Sequence, residues 1–162
     1  RPLAVVVRPL DNPLLDAWVE RFRTDKGMAV IPRGAALRGG VRALKAGSVL
    51  AFVMDQNAAR HGVFVPLFGT EAATVRGPAE LALKYGAPII LCHSRREKKG
   101  RHRLVFVEEI VPAQSRDHDE AVRRTTARIN TGLEKVIRER PEEWLWFHPR
   151  WRTRPPGEPS LY

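Results

Sequence analysis

Leu3-Ala4-Val5-Val6-Val7 is the stretch on which the fold turns. An unbroken apolar run ending in three β-branched residues fits a strand inside a parallel sheet with both faces covered, since strict alternation is required only where one face meets water. Such a strand needs neighbours. Its position directly after Arg1 and Pro2, where domains usually begin with something exposed and tolerant, sets the expectation that preceding sequence has been cut away.

Reading outward, Asp11-Asn12-Pro13 predicts a helix start, with Asn12 as N-cap and Pro13 at the first helical position, where its missing N–H costs nothing. Leu14, Leu15, Trp18, Val19 and Phe22 recur at helical spacing up to a stop at Gly27, and a short strand over Met28–Ile31 follows. A second helix over Leu37–Ala46 is expected to bury Leu37, Val41 and Leu44, and it leads into Val49–Met54, the most apolar strand predicted. Val63–Gly69 reads as an extended segment or edge strand, because Pro66 cannot donate to a central ladder. A helix runs from Pro78 to Gly86. Ile89–Cys92 and Leu104–Val107 form a hairpin across the basic turn Arg95–Arg101, and Asp119 caps the longest helix, which stops before Pro141. Strands alternating with helices make this an α/β chain, with a mixed, largely parallel sheet flanked by helices, and 162 residues are expected to form one domain.

The composition narrows the partners. With 28 Lys+Arg against 18 Asp+Glu, the net charge of +10 points to an anionic partner: lipid phosphate, nucleic acid or an acidic protein. Cys92 is the only cysteine, which excludes an internal disulfide and a Cys-based zinc site and fits a reducing compartment. No apolar run is long enough to span a membrane, and no charged-then-apolar leader is present. A Gly-rich phosphate loop, a G-x-S-x-G elbow and an H-E-x-x-H pair are all absent, which removes the common nucleotide, serine-hydrolase and zinc-protease chemistries.

In open α/β sheets ligands bind beyond the carboxyl ends of the strands, which singles out Arg8 and Asp55-Gln56-Asn57; a surface cation and an ordinary turn are the bland equivalents. Cys92 and His93 are strand neighbours whose side chains point to opposite faces, so they cannot act as a nucleophile–base pair, and Cys92 is expected to be buried. Asp117-His118-Asp119-Glu120 reads as helix capping rather than a metal cluster. The tail from Trp144 to Arg152 interleaves aromatics with Arg, as interfacial lipid anchors and single-strand nucleic-acid platforms do, and as buried Trp beside solvated Arg also would.

Val7-Arg8-Pro9-Leu10-Asp11-Asn12-Pro13-Leu14-Leu15-Asp16 resembles a segment of the bacterial lipid A biosynthesis acyltransferases, the late lauroyl and myristoyl transferases. Asp55-Gln56-Asn57, Gly62–Gly69 and Ala72-Ala73-Thr74 look like the family's next block, and Asn130–Leu133 through Pro141–Trp146 to Arg154-Pro155 resembles its C-terminal signature. Two departures are Pro149, where relatives usually carry a basic residue, and Leu67 in place of a common Phe. The resemblance implies a glycerolipid-acyltransferase-like fold with its N-terminal part missing. It also implies acyl transfer from an acyl carrier protein or CoA thioester to a hydroxyl of a phosphorylated glycolipid, at the cytoplasmic face of the bacterial inner membrane, with no cofactor, no metal and no nucleic acid.

The family's base is a His in H-x4-[D/E], where the carboxylate orients the imidazole. The residues five beyond His61, His93, His102, His118 and His148 are Pro66, Lys98, Val107, Arg123 and Thr153, so the motif is absent from these 162 residues, and the chain alone is expected to be inactive. By position, the resemblance implies catalytic roles for Asp55 and Arg23 and substrate binding by Arg8 and Arg33. Phosphatidylinositol mannoside acyltransferases share these blocks, and a basic nucleic-acid-binding module is the reading from another class.

Overall fold

Asn12 begins the first helix as its type and position dictate: in the computed structural model, which describes all 162 residues apart from the Arg60 side chain, its Oδ1 accepts from the N–H groups of Leu14 (3.0 Å) and Leu15 (3.2 Å). The chain divides into two compact units, Arg1–Val53 and Met54–Tyr162.

The first unit is a parallel α/β arrangement. Strand β1 (Leu3–Val7) lies between β2 (Met28–Pro32) and β3 (Val49–Ala51), parallel to both, with Leu3 opposite Met28 on one side and Val49 on the other. Helix α1 (Pro13–Asp25) connects β1 to β2, and α2 (Ala36–Lys45) connects β2 to β3. Strand β3 stops at Ala51, three residues short of expectation, because its ladder with β1 ends at Val5 and the residues beyond have no partner strand.

Burial in this unit falls short of the sequence expectation. Ala4 and Ile31 are buried, but α1 buries no residue: Leu14 is 83% and Trp18 64% exposed, and Leu37 of α2 is exposed too. Three short strands offer too little area to cover the apolar stripes of two helices. Trp18 and Phe22 instead stack on each other, ring centroids 6.1 Å apart. Gly39 marks a tight approach, since a Cβ there would meet Ile31 Cγ2 at 2.6 Å.

The second unit is built from antiparallel hairpins packed on one long helix. Strands β4 (Val63–Leu67) and β5 (Thr70–Thr74) pair through the two-residue turn Phe68-Gly69, both at positive φ (53° and 76°), the geometry that matches the strands' right-handed twist. Phe68 is unusual there. Its N–H donates to Glu134 Oε1 (2.6 Å) and Arg138 lies over its ring at 5.0 Å, which holds the turn. Pro66 lies opposite Glu71 in this two-stranded sheet, where no central ladder needs its N–H.

Helix α3 (Gly77–Tyr85) leads to β6 (Ile89–Arg96) and β7 (His102–Ile110), a longer hairpin than the sequence suggested. Helix α4 (His118–Glu139) buries Val122, Ile129 and Ile137 against these elements, with Leu133 and Val136 half-buried. Its cap is Asp117, two residues earlier than expected: Asp117 Oδ1 accepts from the Asp119 and Glu120 N–H groups, and Asp119 is engaged elsewhere. Gly132 lets α4 lie close on the hairpin, since a Cβ there would meet Leu91 Cδ2 at 2.4 Å and Glu108 Oε1 at 2.6 Å. Val65, Leu67, Ala72, Ala73 and Ala79 complete the core. No described helix is long and apolar enough to cross a membrane.

Candidate functional site

In the first unit the parallel register brings Arg8 and Arg33 to one edge. Val7 lies opposite Pro32, so the two arginines follow the carboxyl ends of neighbouring strands, about 5 Å apart in the ladder direction. Both are exposed. Arg8 pairs with Asp11 at 3.0 Å, a contact whose side chains are 71% and 93% exposed and which water weakens. Arg23 is half-buried in the last turn of α1, which leads back to the start of β2, so it lies toward the opposite edge of the sheet from Arg8 and Arg33.

Asp55 belongs to the second unit, where it lies half-buried beside a buried polar centre. Arg150 is fully buried, and its guanidinium donates to the Ala73 carbonyl (2.8 Å) and to Thr74 Oγ1 (2.7 Å). Asn130 Nδ2 donates to the same Thr74 oxygen (3.2 Å) and to the Pro66 carbonyl (3.0 Å), so α4, the β4–β5 hairpin and the tail meet at one hydroxyl. Burial pushes the Arg150 pKa down to about 10, opposed by the Asp55 carboxylate and then by Tyr162. The group therefore stays cationic at neutral pH. Asp55 supplies the counter-charge without an ion pair, and its Oδ1 has no hydrogen-bond partner among the described residues.

The tail also fixes the loop that carries Asp55. The Asn57 N–H donates to His148 Nε2 (2.8 Å), and Asn57 Nδ2 donates to Thr153 Oγ1 (3.0 Å). An N–H can only donate, so Nε2 is the unprotonated ring nitrogen. Asn57 Oδ1 is left, like Asp55 Oδ1, as a buried acceptor without a donor among the described residues. Both oxygens are shielded from solvent, on a loop that the tail anchors from behind. Arg154 closes the arrangement, donating to the Glu71 carbonyl (2.6 Å) and pairing with Glu158.

A separate cavity of about 380 Å³ lies between β4 and the start of α4, lined by Val63, Phe64, Arg76, Asp119, Glu120 and Arg123 among others. Its charges are matched: Arg76 reaches Asp119 and Glu80, each at 2.7 Å, and Arg123 reaches Glu120 at 3.1 Å. The hydrogen bond to Asp119, against the opposing effect of burial, raises the Arg76 pKa. Acidic residues that looked like metal ligands are thus capping and pairing residues, and no described group of three His, Cys, Asp or Glu side chains could hold a metal ion. Cys92 and His93 point to opposite faces of β6, but Cys92 is exposed, not buried, because only one face of that hairpin is covered.

Sequence chemistry missed Arg150, Thr74 and Asn130 as one centre. An Arg among aromatics reads as a surface cation, and only the resemblance, through the blocks holding Thr74 and Asn130, marked the neighbourhood. The family model for bacterial lipid A biosynthesis acyltransferases matches residues 1–153. The lipid A biosynthesis lauroyltransferase of Escherichia coli K12 is 39% identical over 97% of the chain and 51% of its own length. The palmitoleoyltransferase of the same strain is 35% identical over 100% and 52%, and a lipid A biosynthesis acyltransferase of Haemophilus influenzae is 32% identical over 97% and 50%. The chain spans about half the length of the curated relatives it matches.

Proposed function

The chain belongs to the bacterial lipid A biosynthesis acyltransferases, and from that membership we propose that the whole protein transfers a fatty acyl group to a hydroxyl of a phosphorylated lipid A precursor at the cytoplasmic face of the inner membrane. The donor is an acyl carrier protein or CoA thioester. The acceptor oxygen forms a bond to the acyl carbon, the carbon–sulfur bond breaks, and the hydroxyl proton ends on the departing thiol. The observation that carries the reading is the family match over residues 1–153, which takes in both the Arg8 block and the Asp55 loop.

Within this reading Arg8 and Arg33 hold a phosphate at the carboxyl edge of the parallel sheet, where a guanidinium can bind two oxygens at once. Arg23, to which the resemblance gives a catalytic role, lies at the other edge and binds phosphate on the lipid or the carrier. Asp55 orients the acceptor or a cation beside it, supported by the Asn57 anchor. None of the five histidines has a carboxylate five residues on, so these 162 residues by themselves have no H-x4-[D/E] base and are inactive.

The test is acyl transfer from acyl carrier protein to a lipid A precursor, measured on a protein of the relatives' full length and on the 162-residue chain. We expect turnover by the first and none by the second, with Arg8→Ala and Asp55→Asn each lowering kcat/KM by about 100-fold in the first. Transfer by the 162-residue chain, or full activity in both variants, overturns the assignment.

A further inference from the structure

The β6–β7 hairpin carries a charge that the fold does not use. Residues 95–103 hold Arg95, Arg96, Lys98, Lys99, Arg101 and Arg103 against the single carboxylate of Glu97, so this tip accounts for +5 of the chain's +10. Glu97 is committed to Arg103 at 2.7 Å, and no other ion pair reaches the tip among the described residues. Arg95 lies directly opposite Arg103, and Arg96 opposite His102. The like charges of Arg95 and Arg103 face each other across the ladder, a destabilising arrangement that Glu97 alone offsets among the described residues.

The outer face of the same hairpin is largely apolar, interrupted by Ser94, His102 and Glu109. Alternation along β6 and β7 turns Leu91, Val105 and Val107 toward the rest of the unit and Ile90, Cys92, Leu104 and Phe106 outward. Leu104 is 58% and Phe106 69% exposed, with Cys92 directly across the ladder from Phe106. Arg96 lies on that outer face, beyond Ser94 toward the tip.

We propose that this hairpin docks on an anionic lipid bilayer, its outer face lying on the surface with Leu104 and Phe106 among the acyl chains and the tip cations among headgroup phosphates. A strip of apolar side chains continuous with unpaired Lys and Arg is the pattern of an interfacial element, and anionic headgroups supply the counter-charge that the tip lacks. One aromatic on the face gives no stacking platform for successive bases, so single-stranded nucleic acid fits less well. The surface deepens the membrane-face reading above and rests on it for its biological setting. Vesicle binding is measured with no donor or acceptor present, so its failure leaves the acyl-transfer reading standing.

The experiment uses the 162-residue chain with a polarity-sensitive fluorophore on Cys92, the only cysteine, and vesicles of phosphatidylcholine with or without about a third phosphatidylglycerol. We expect binding and a blue shift with the anionic vesicles alone. Neutralising the tip in Lys98→Gln/Lys99→Gln/Arg101→Gln lowers partitioning about 100-fold at low salt. Phe106→Ser lowers it about tenfold and keeps that effect at high salt, where charge is screened. The matched control Arg116→Gln/Arg124→Gln/Lys135→Gln removes the same charge elsewhere on the second unit and changes partitioning by less than about threefold. Equal loss in both triples, a fluorophore that stays in water while the chain binds, or tip-dependent binding to acyl carrier protein or an oligonucleotide with none to vesicles overturns the proposal.

Discussion

Replacing Arg150 by Met removes a buried cation of similar length and tests whether the polar centre of the second unit holds the tail in place. Two charge-assisted hydrogen bonds are lost, to the Ala73 carbonyl and to Thr74 Oγ1, and the Asp55 carboxylate loses its counter-charge. Relief of the guanidinium's desolvation offsets part of this. Removing one partner of a buried charge arrangement costs about 3–5 kcal/mol, which is a large share of a total stability of about 5–15 kcal/mol. At roughly 3–5 °C per kcal/mol the midpoint falls by about 10–25 °C. Thermal melts followed by near-UV circular dichroism report it directly, because Trp144, Trp146 and Trp151 all lie in the tail that Arg150 anchors. A second arm adds Asp55→Asn to both backgrounds. The two groups are not in ionic contact, and at an effective dielectric of about 20 charges more than about 4 Å apart interact by less than about 4 kcal/mol, so a coupling of about 1–2 kcal/mol is expected. A midpoint within about 3 °C of the parent, or strictly additive effects, refutes the reasoning.

Gly132→Ala drives a methyl group into Leu91 and Glu108, and because α4 and the hairpin must then separate we expect a loss of about 1–3 kcal/mol, read by urea denaturation. Asn12→Ala removes the cap that accepts from Leu14 and Leu15 and lowers stability by about 1 kcal/mol, seen as faster amide exchange in the first turn of α1. The Cys92 thiol, exposed on the outer face of β6, reacts with one equivalent of an aromatic disulfide reagent without denaturant; a thiol that reacts only after unfolding contradicts that placement.

Local chemistry was legible wherever a residue's own backbone preference decides the outcome. Asn12-Pro13 starts a helix because one side chain accepts the first free N–H groups and the other has none to waste, and Gly27 ends it at φ 78°. Pro66 fell at an edge for the same kind of reason. Strand β5 was not legible, because Thr70–Thr74 has no apolar alternation of its own and becomes a strand by pairing with Val63–Leu67 across Phe68-Gly69. Asp119 was a reasonable cap by type, but Asp117 took the role because Arg76, distant in sequence, claims the Asp119 carboxylate.

The candidate site divides along the same line. The run Leu3–Val7 and the strands after it were enough, by themselves, to specify a parallel α/β arrangement and to put Arg8 just past a strand's carboxyl end, since hydrophobic continuity and strand polarity are properties of the chain. The family blocks likewise lie in the order of the residues themselves. Only the tertiary structure decided that Arg33 shares the edge with Arg8 while Arg23 does not, that Cys92 faces outward, and that Arg150 lies at the centre of a buried polar network rather than in water. Burial and partner choice depend on groups brought together from 76 positions away, as Arg150 and Thr74 are, and no local pattern encodes what will be on the other side.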